Sequence, residues 1–267
     1  MFWLRAGFRS RSEMNKSEKT VVITGAVKGL GKSLSLAFAG VGYEVIGLYR
    51  ADDDAAETLR ENFRAEGFRG SFIRQDITAE GNWSELDEII AKRADASFTL
   101  IANACPPFAP KPFYLTEWRE FSALLEVNVK GTFALFQRLL PSMVRAREGT
   151  FISVLSAALE VPPKGFAAYV TAKSALEGLT RAVAAEYASR GIRVFSVSPG
   201  FMETSLTAGW NERLKILIRS GGVLQPEDVA QEILELALNR DIPAAGENYI
   251  CTTNDKERNV DFEISAR

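Results

Sequence analysis

The sequence predicts a single α/β domain, a doubly wound parallel sheet of about seven strands with helices on both faces. Three observations carry this. Short β-rich runs alternate with helical stretches along almost the whole chain. The first run, Val21-Val22-Ile23, is apolar without alternation, as a strand buried on both faces must be. At 267 residues, 46% hydrophobic and 25% charged, the chain can build one large core, and no repeat, linker or low-complexity stretch divides it.

Taken in order, the strands after Val21–Ile23 are Glu44–Tyr49, Ser71–Arg74, Phe98–Ala102, Thr150–Leu155, Ile192–Val197 and Asn248–Cys251. Helical stretches lie near 30–41, 53–66, 83–93, 117–146, 167–189 and 226–239, with a further helix in a loop over 206–219. Repeated β-then-α units take right-handed crossovers, which lay each strand parallel to its neighbours. The expected organisation is an N-terminal extension over 1–17 and one Rossmann-type domain over 18–267, carrying a substrate lid at about 201–222. The extension reads as a disordered tail or an upstream start ahead of Met14. A transit peptide would show an amphipathic period that this short Arg- and Ser-bearing segment lacks.

Composition narrows the chemistry. A net charge of -2 gives no electrostatic case for nucleic acid or an anionic membrane, and no apolar run approaches the ~18 residues that span a bilayer. The chain has no histidine, which excludes a Ser-His-Asp hydrolase and any zinc site that needs His. Its two cysteines, Cys105 and Cys251, form neither a disulfide framework nor a metal spacing. No metal is expected, and the cysteine usage suits a reducing cytoplasm. Acid–base work must come from Tyr, Lys, Cys or a perturbed carboxylate.

Two motifs carry chemistry. Thr24-Gly25-Ala26-Val27-Lys28-Gly29-Leu30-Gly31 links the first strand to the first helix. Gly25, Gly29 and Gly31 let the backbone turn tightly and approach a phosphate, whose charge meets the helix N-terminus. The second strand ends Leu48-Tyr49-Arg50, without the acid that would bond a ribose 2′-hydroxyl. Arg50 and Lys28 could instead pair with a 2′-phosphate, so NADP(H) is preferred over NAD(H). Asp52, Asp53 and Asp54 most simply sit at a helix N-terminus. Asp76-Ile77 ends the third strand, where the carboxylate either accepts from an adenine amino group or caps the next loop. Asn103-Ala104 ends the fourth, at the edge where such sheets bind ligands. The second motif is Tyr169-Val-Thr-Ala-Lys173, an i, i+4 pair on one helix face. A nearby ammonium favours the phenolate and brings proton transfer toward working pH. Ser156 could donate to a substrate carbonyl, and Asn128, a poor helix former in mid-helix, could hold a water linking Lys173 to solvent.

In these features the chain, from about Lys19 to Ile250, resembles the short-chain dehydrogenase/reductase family. Ser198-Pro199-Gly200 adds to the match, and Ser156 precedes Tyr169 by thirteen residues, the family's usual interval. The resemblance implies Tyr169 as general acid in reduction, Lys173 as the group that lowers its pKa and bonds the nicotinamide ribose, Ser156 as the carbonyl donor and Asn128 as relay support. It implies that Pro199, Gly200 and Thr204 meet the nicotinamide end. Within the family the chain looks most like 3-oxoacyl-acyl-carrier-protein reductases. Arg147 and Arg190 fall where those carry cations facing the acidic carrier. An acyl-thioester or small-molecule substrate, a carrier-protein partner and a homo-oligomer, dimer or tetramer, follow as expectations. Oxidation of a secondary alcohol or a steroid-like substrate by the same residues is the enzymatic alternative. A non-catalytic NADP(H)-binding sensor is the other. Two segments depart from the family: Ala102-Asn103-Ala104-Cys105-Pro106-Pro107 replaces Asn-Asn-Ala-Gly, and a polar tail from Thr252 replaces a Gly-rich C-terminus. Cys105 reads as a small packed residue.

Overall fold

The computed structural model describes residues 19–81, 83–93, 96–219, 222–253 and 260–265. The expected extension over 1–17 lies outside them. Eight strands form one sheet in the order β3-β2-β1-β4-β5-β6-β7-β8. The strands are β1 Thr20–Thr24, β2 Glu44–Tyr49, β3 Gly70–Arg74, β4 Phe98–Ala102, β5 Gly149–Val154, β6 Ile192–Pro199, β7 Ala245–Thr253 and β8 Val260–Ile264. The first seven are parallel, as the sequence predicts. The eighth was not expected. It returns antiparallel along β7, pairing Tyr249 with Ile264 and Thr253 with Val260. The polar tail therefore extends the sheet, and the sheet is not wholly parallel.

The helices are α1 Gly29–Gly40, α2 Asp53–Glu66, α3 Ser84–Ala91, α4 Trp118–Leu125, α5 Thr132–Ala146, α6 Ala167–Tyr187, α7 Glu212–Arg219 and α8 Pro226–Leu238. Strand pleating sends Val21 and Ile23 to one face and Val22 to the other, and two cores result. Leu34 and Phe38 of α1, Leu59 and Phe63 of α2, and Val229 and Ile233 of α8 fill the first. Leu86 of α3 and Leu135, Leu139 and Met143 of α5 fill the second. Each such side chain, when fully buried, stabilises the fold by roughly 1.5–3 kcal/mol.

The single helix expected over 117–146 is broken by a π-helical turn, Glu126–Gly131, between α4 and α5. Such a turn accommodates one extra residue and re-aims the side chains within it. Asn128 sits in this turn and is buried. Gly131 closes it against Ile77, whose Cγ1 would lie 2.6 Å from an added Cβ, so no larger residue fits without displacement.

The order of the sheet reverses between β1 and β4. Their carboxyl ends open a crevice there, the place where open α/β sheets bind ligands.

Candidate active site

Thr24, at the end of β1, uses its hydroxyl to fasten the crevice. Its Oγ1 accepts from the backbone N–H of Asn103 at 3.0 Å and of Ala104 at 2.9 Å. The Asn103 amide donates back to Thr24 O at 2.9 Å. Asn103 thus ties β1 to β4 and shapes the crevice floor. The glycine turn then leaves β1, with Gly25 and Gly29 at φ +66° and +47°. Gly31 needs its missing Cβ for another reason: that atom would lie 2.0 Å from Gly25 O. Thr204, at the start of the lid, packs on Gly29, where an added Cβ would come within 3.2 Å of it. A bare backbone cradle at a helix N-terminus fits a dinucleotide pyrophosphate.

A cavity of about 840 Å³ runs from this cradle to the lid. Gly25, Lys28, Gly29, Leu30, Gly31, Arg50, Asp76, Ile77, Asn103, Ala104, Ser156, Tyr169, Lys173, Pro199, Gly200 and Thr204 all line it. Asn128 is the one predicted site residue that does not. It lies behind the wall, its Nδ2 donating to Leu124 O at 2.9 Å and approaching Cys105 Sγ at 3.8 Å.

At the far cofactor end, Lys28 forms an ion pair with Asp52. Asp52 caps α2 in the left-handed region, φ 83°, and its Oδ1 accepts from Ala55 N–H at 3.0 Å. Asp53 accepts from Tyr49 OH at 3.0 Å and pairs with Arg74 at 3.1 Å. Both acids serve the helix N-terminus, as expected of them, and Asp52 also holds Lys28, which the spacing did not reveal. Asp76 Oδ1 accepts from both the N–H and the hydroxyl of Thr78, at 2.9 and 2.7 Å. Burial raises its pKa, but Thr78 and the charge of Arg50 outweigh this and hold the carboxyl below its ordinary range. The loop-capping role is thereby filled.

At the catalytic end, Tyr169 and Lys173 share one face of α6, both buried, with the Lys173 Nζ 5.9 Å from the Tyr169 ring centre. Lys173 Nζ donates to Val154 O at 2.7 Å, fixing the ammonium against β5. Ser156 follows β5, and its Oγ accepts from Ala158 N–H at 3.2 Å. The expected depression of the phenol pKa by Lys173 is not what the geometry yields. Burial dominates and pushes Tyr169 up, Cys105 adds to it, and the Ser156 hydroxyl acts in the opposite direction. Burial likewise pushes Lys173 down. Tyr169 is therefore held in its neutral, protonated form. A reaction in which Tyr169 gives up its proton should keep its rate from about pH 6 to about pH 9, while the reverse direction, which needs the phenolate, should climb with pH. Initial rates in both directions check this, and a proton-donating rate that falls across that interval would contradict it.

Cys105 stands among these groups. Burial pushes its thiol up, with Lys173 and the Asn128 amide pulling the other way. It is a neutral packing residue, as the sequence suggested, and its neighbours include Asn128, Tyr169 and Lys173. Of the lid, Phe201, Met202, Leu206 and Trp210 line the cavity; Leu214 instead packs in the aromatic cluster beneath it. The lid helix α7 begins only at Glu212. Arg147 and Arg190 lie just before β5 and β6, at the amino edge of the sheet. That is the opposite edge from Ser156, about 20 Å away along a six-residue strand, so neither borders this chain's cavity.

Among known proteins, the sequence profile described as short chain dehydrogenase matches residues 19–215. The 3-oxoacyl-(acyl-carrier-protein) reductase of Staphylococcus epidermidis is 32% identical over 202 residues, 76% of this chain and 81% of that protein. The enzyme of that description from Thermotoga maritima is 32% identical over 233 residues, 84% of this chain and 92% of its own. Among solved structures, a short-chain type dehydrogenase/reductase from Mycobacterium marinum superposes with a TM-score of 0.78 at 28% identity, covering 88% of this chain and 94% of that one.

Proposed function

Given that this chain belongs to the short-chain dehydrogenase/reductase family and is thus an oxidoreductase, we propose that it reduces a ketone, a 3-oxoacyl thioester or a similar carbonyl compound, with NADPH. The observation that carries this reading is the buried Tyr169 phenol sharing with Ser156 and Lys173 the wall of one cavity that reaches the glycine cradle. Reduction consumes a proton at the carbonyl oxygen, and a phenol on the same cavity wall as Ser156 and Lys173 is placed to give one.

The cradle of Gly25, Gly29 and Gly31 would hold the pyrophosphate of the dinucleotide, and Pro199, Gly200 and Thr204 would flank its nicotinamide end. When bound, the dinucleotide supplies the hydride. Ser156 Oγ donates to the carbonyl oxygen and orients it. Tyr169 OH delivers the proton to that oxygen as negative charge develops there. Lys173, anchored to Val154 O beside the phenol, would bond the nicotinamide ribose, and Asn128 would support the return of a proton. The substrate half of the cavity is walled by Pro162, Phe166, Phe201, Met202, Leu206 and Trp210. Its charged lining residues, Lys28, Arg50, Asp76 and Lys173, belong to the cofactor and catalytic ends. An apolar acyl chain fits such walls. A carrier-protein partner, a homo-oligomer and a cytoplasmic setting complete the proposal. No helix among the described residues is long and apolar enough to cross a membrane.

The preference for NADPH rests on Arg50 at the tip of β2 and on Lys28, with Asp52 committed to Lys28 and to the helix cap. Arg50→Asp should weaken NADPH by roughly 10- to 100-fold, the value of one charge-assisted contact, and favour NADH. Comparing KM for the two cofactors checks this, and an unchanged ratio removes the basis for the assignment. The function itself is tested by following NADPH at 340 nm with a panel of ketones that includes acetoacetyl thioesters. Thioester-dependent oxidation supports the reading. A chain that binds NADPH tightly yet turns over no ketone in the panel contradicts it.

A further inference from the structure

The loop after Ala104 places an aromatic ring against the catalytic tyrosine. Phe108 lies nearly parallel to the Tyr169 ring, with centres 4.6 Å apart and planes 12° apart. Phe108 is itself held on two further sides. Phe166, which caps the start of α6, meets it edge-on at 5.3 Å, and Trp210 of the lid meets it edge-on at 5.2 Å. The Trp210 Nε1–H also donates to Phe108 O at 2.9 Å. Phe166 and Trp210 contact each other at 5.2 Å, closing the cluster, and both are buried.

A second cavity, about 270 Å³, borders this ring. Pro106, Pro107 and Tyr169 belong to the walls of both cavities, and Phe108 to the second alone. The second is partly polar, with Lys111, Thr116, Arg119 and Glu120 in its wall. The stacked pair of Phe108 and Tyr169 therefore stands at the boundary between the two cavities.

We propose that Phe108 is a positioning residue for Tyr169: its ring fixes the plane of the phenol, and the Trp210 hydrogen bond makes this support depend on the lid. The inference rests on Tyr169 as the proton donor. An unbraced tyrosine can rotate about its side-chain bonds, and small misplacements of a reacting group lower rates steeply. Sequence spacing could not reveal the contact, since Phe108 and Tyr169 are brought together only by the tertiary fold.

The test compares Phe108→Ala, Phe108→Leu, Phe108→Tyr and Trp210→Phe in the full chain, with the ketone turned over fastest by the native protein. Phe108→Ala should lower kcat about 10- to 100-fold while NADPH affinity, read by fluorescence titration, stays native. Phe108→Leu, which keeps bulk but loses the flat ring, should fall in the same direction and guards against a folding defect. Phe108→Tyr should restore kcat, and Trp210→Phe should lose part of it. In a Tyr169→Phe background, Phe108→Ala should cost nothing further, because the group it positions is gone. Native kcat in Phe108→Ala, or equal losses in the Ala and Tyr variants, overturns the proposal. If Tyr169→Phe is inactive while Phe108→Ala is native, only the positioning role falls. If Tyr169→Phe itself retains turnover, the proton-donor reading falls with it.

Discussion

Tyr169→Phe is expected to bind NADPH as the native chain does and to reduce ketones about 10²- to 10⁴-fold more slowly, the range contributed by a positioned general acid. The substitution removes one oxygen. It leaves the ring, its stack on Phe108 and its contact with Phe166, so the cluster beneath the lid keeps its packing. The glycine cradle and the Thr24–Asn103 bonds are untouched. Affinity and rate should therefore separate. Steady-state kinetics beside a fluorescence titration of NADPH reads both. Normal turnover in this variant would remove Tyr169 from the mechanism.

That separation follows from how the site is distributed over the chain, and so does what the sequence discloses of it. Tyr169 and Lys173 are neighbours because α6 is a helix, and Gly25 to Gly31 make a cradle because β1 feeds α1. Such local geometry is written in residue spacing. The seven parallel strands are legible for the same reason, since each is a short apolar run between helical stretches. Contacts that depend on distant segments are not. The bridging of Thr24 Oγ1 to Asn103 and Ala104 crosses about eighty positions. The place of Cys105 beside Asn128 depends on the π-helical turn, which no helical period announces. The pKa of Tyr169 was misjudged because its neighbour was visible in the sequence and its burial was not. β8 was missed because it follows a charged run, although Val260-Asp261-Phe262-Glu263-Ile264 alternates apolar and polar residues as a strand does.

The second large effect is expected at the opposite end of the cavity. Gly31→Ala should abolish measurable NADPH binding and destabilise the chain by about 1–3 kcal/mol, the usual cost of forcing an extra carbon into a packed site. The added Cβ would lie 2.0 Å from Gly25 O and 2.8 Å from Asn103 Nδ2. Neither can yield cheaply. Gly25 O belongs to the glycine turn proposed to cradle the phosphate, and Asn103 is the tie between β1 and β4. Relief of the clash must therefore open the cradle or break the tie. Thermal unfolding and NADPH titration on the same sample distinguish the two consequences. A variant that melts lower but binds NADPH at native affinity would show that the cradle does not hold the cofactor.

The C-terminal hairpin bears on how copies of this chain could assemble. β7 has β6 on one side and β8 on the other, so its hydrogen-bonding groups are met within its own chain. An edge strand with open backbone groups is a template for another molecule. Here that template is filled, and the sheet ends instead in β3 and the five-residue β8. A partner copy cannot continue the sheet through β7. It must add to one of those two edges or associate through helical faces, and the short antiparallel strand thereby restricts the geometry open to any homo-oligomer.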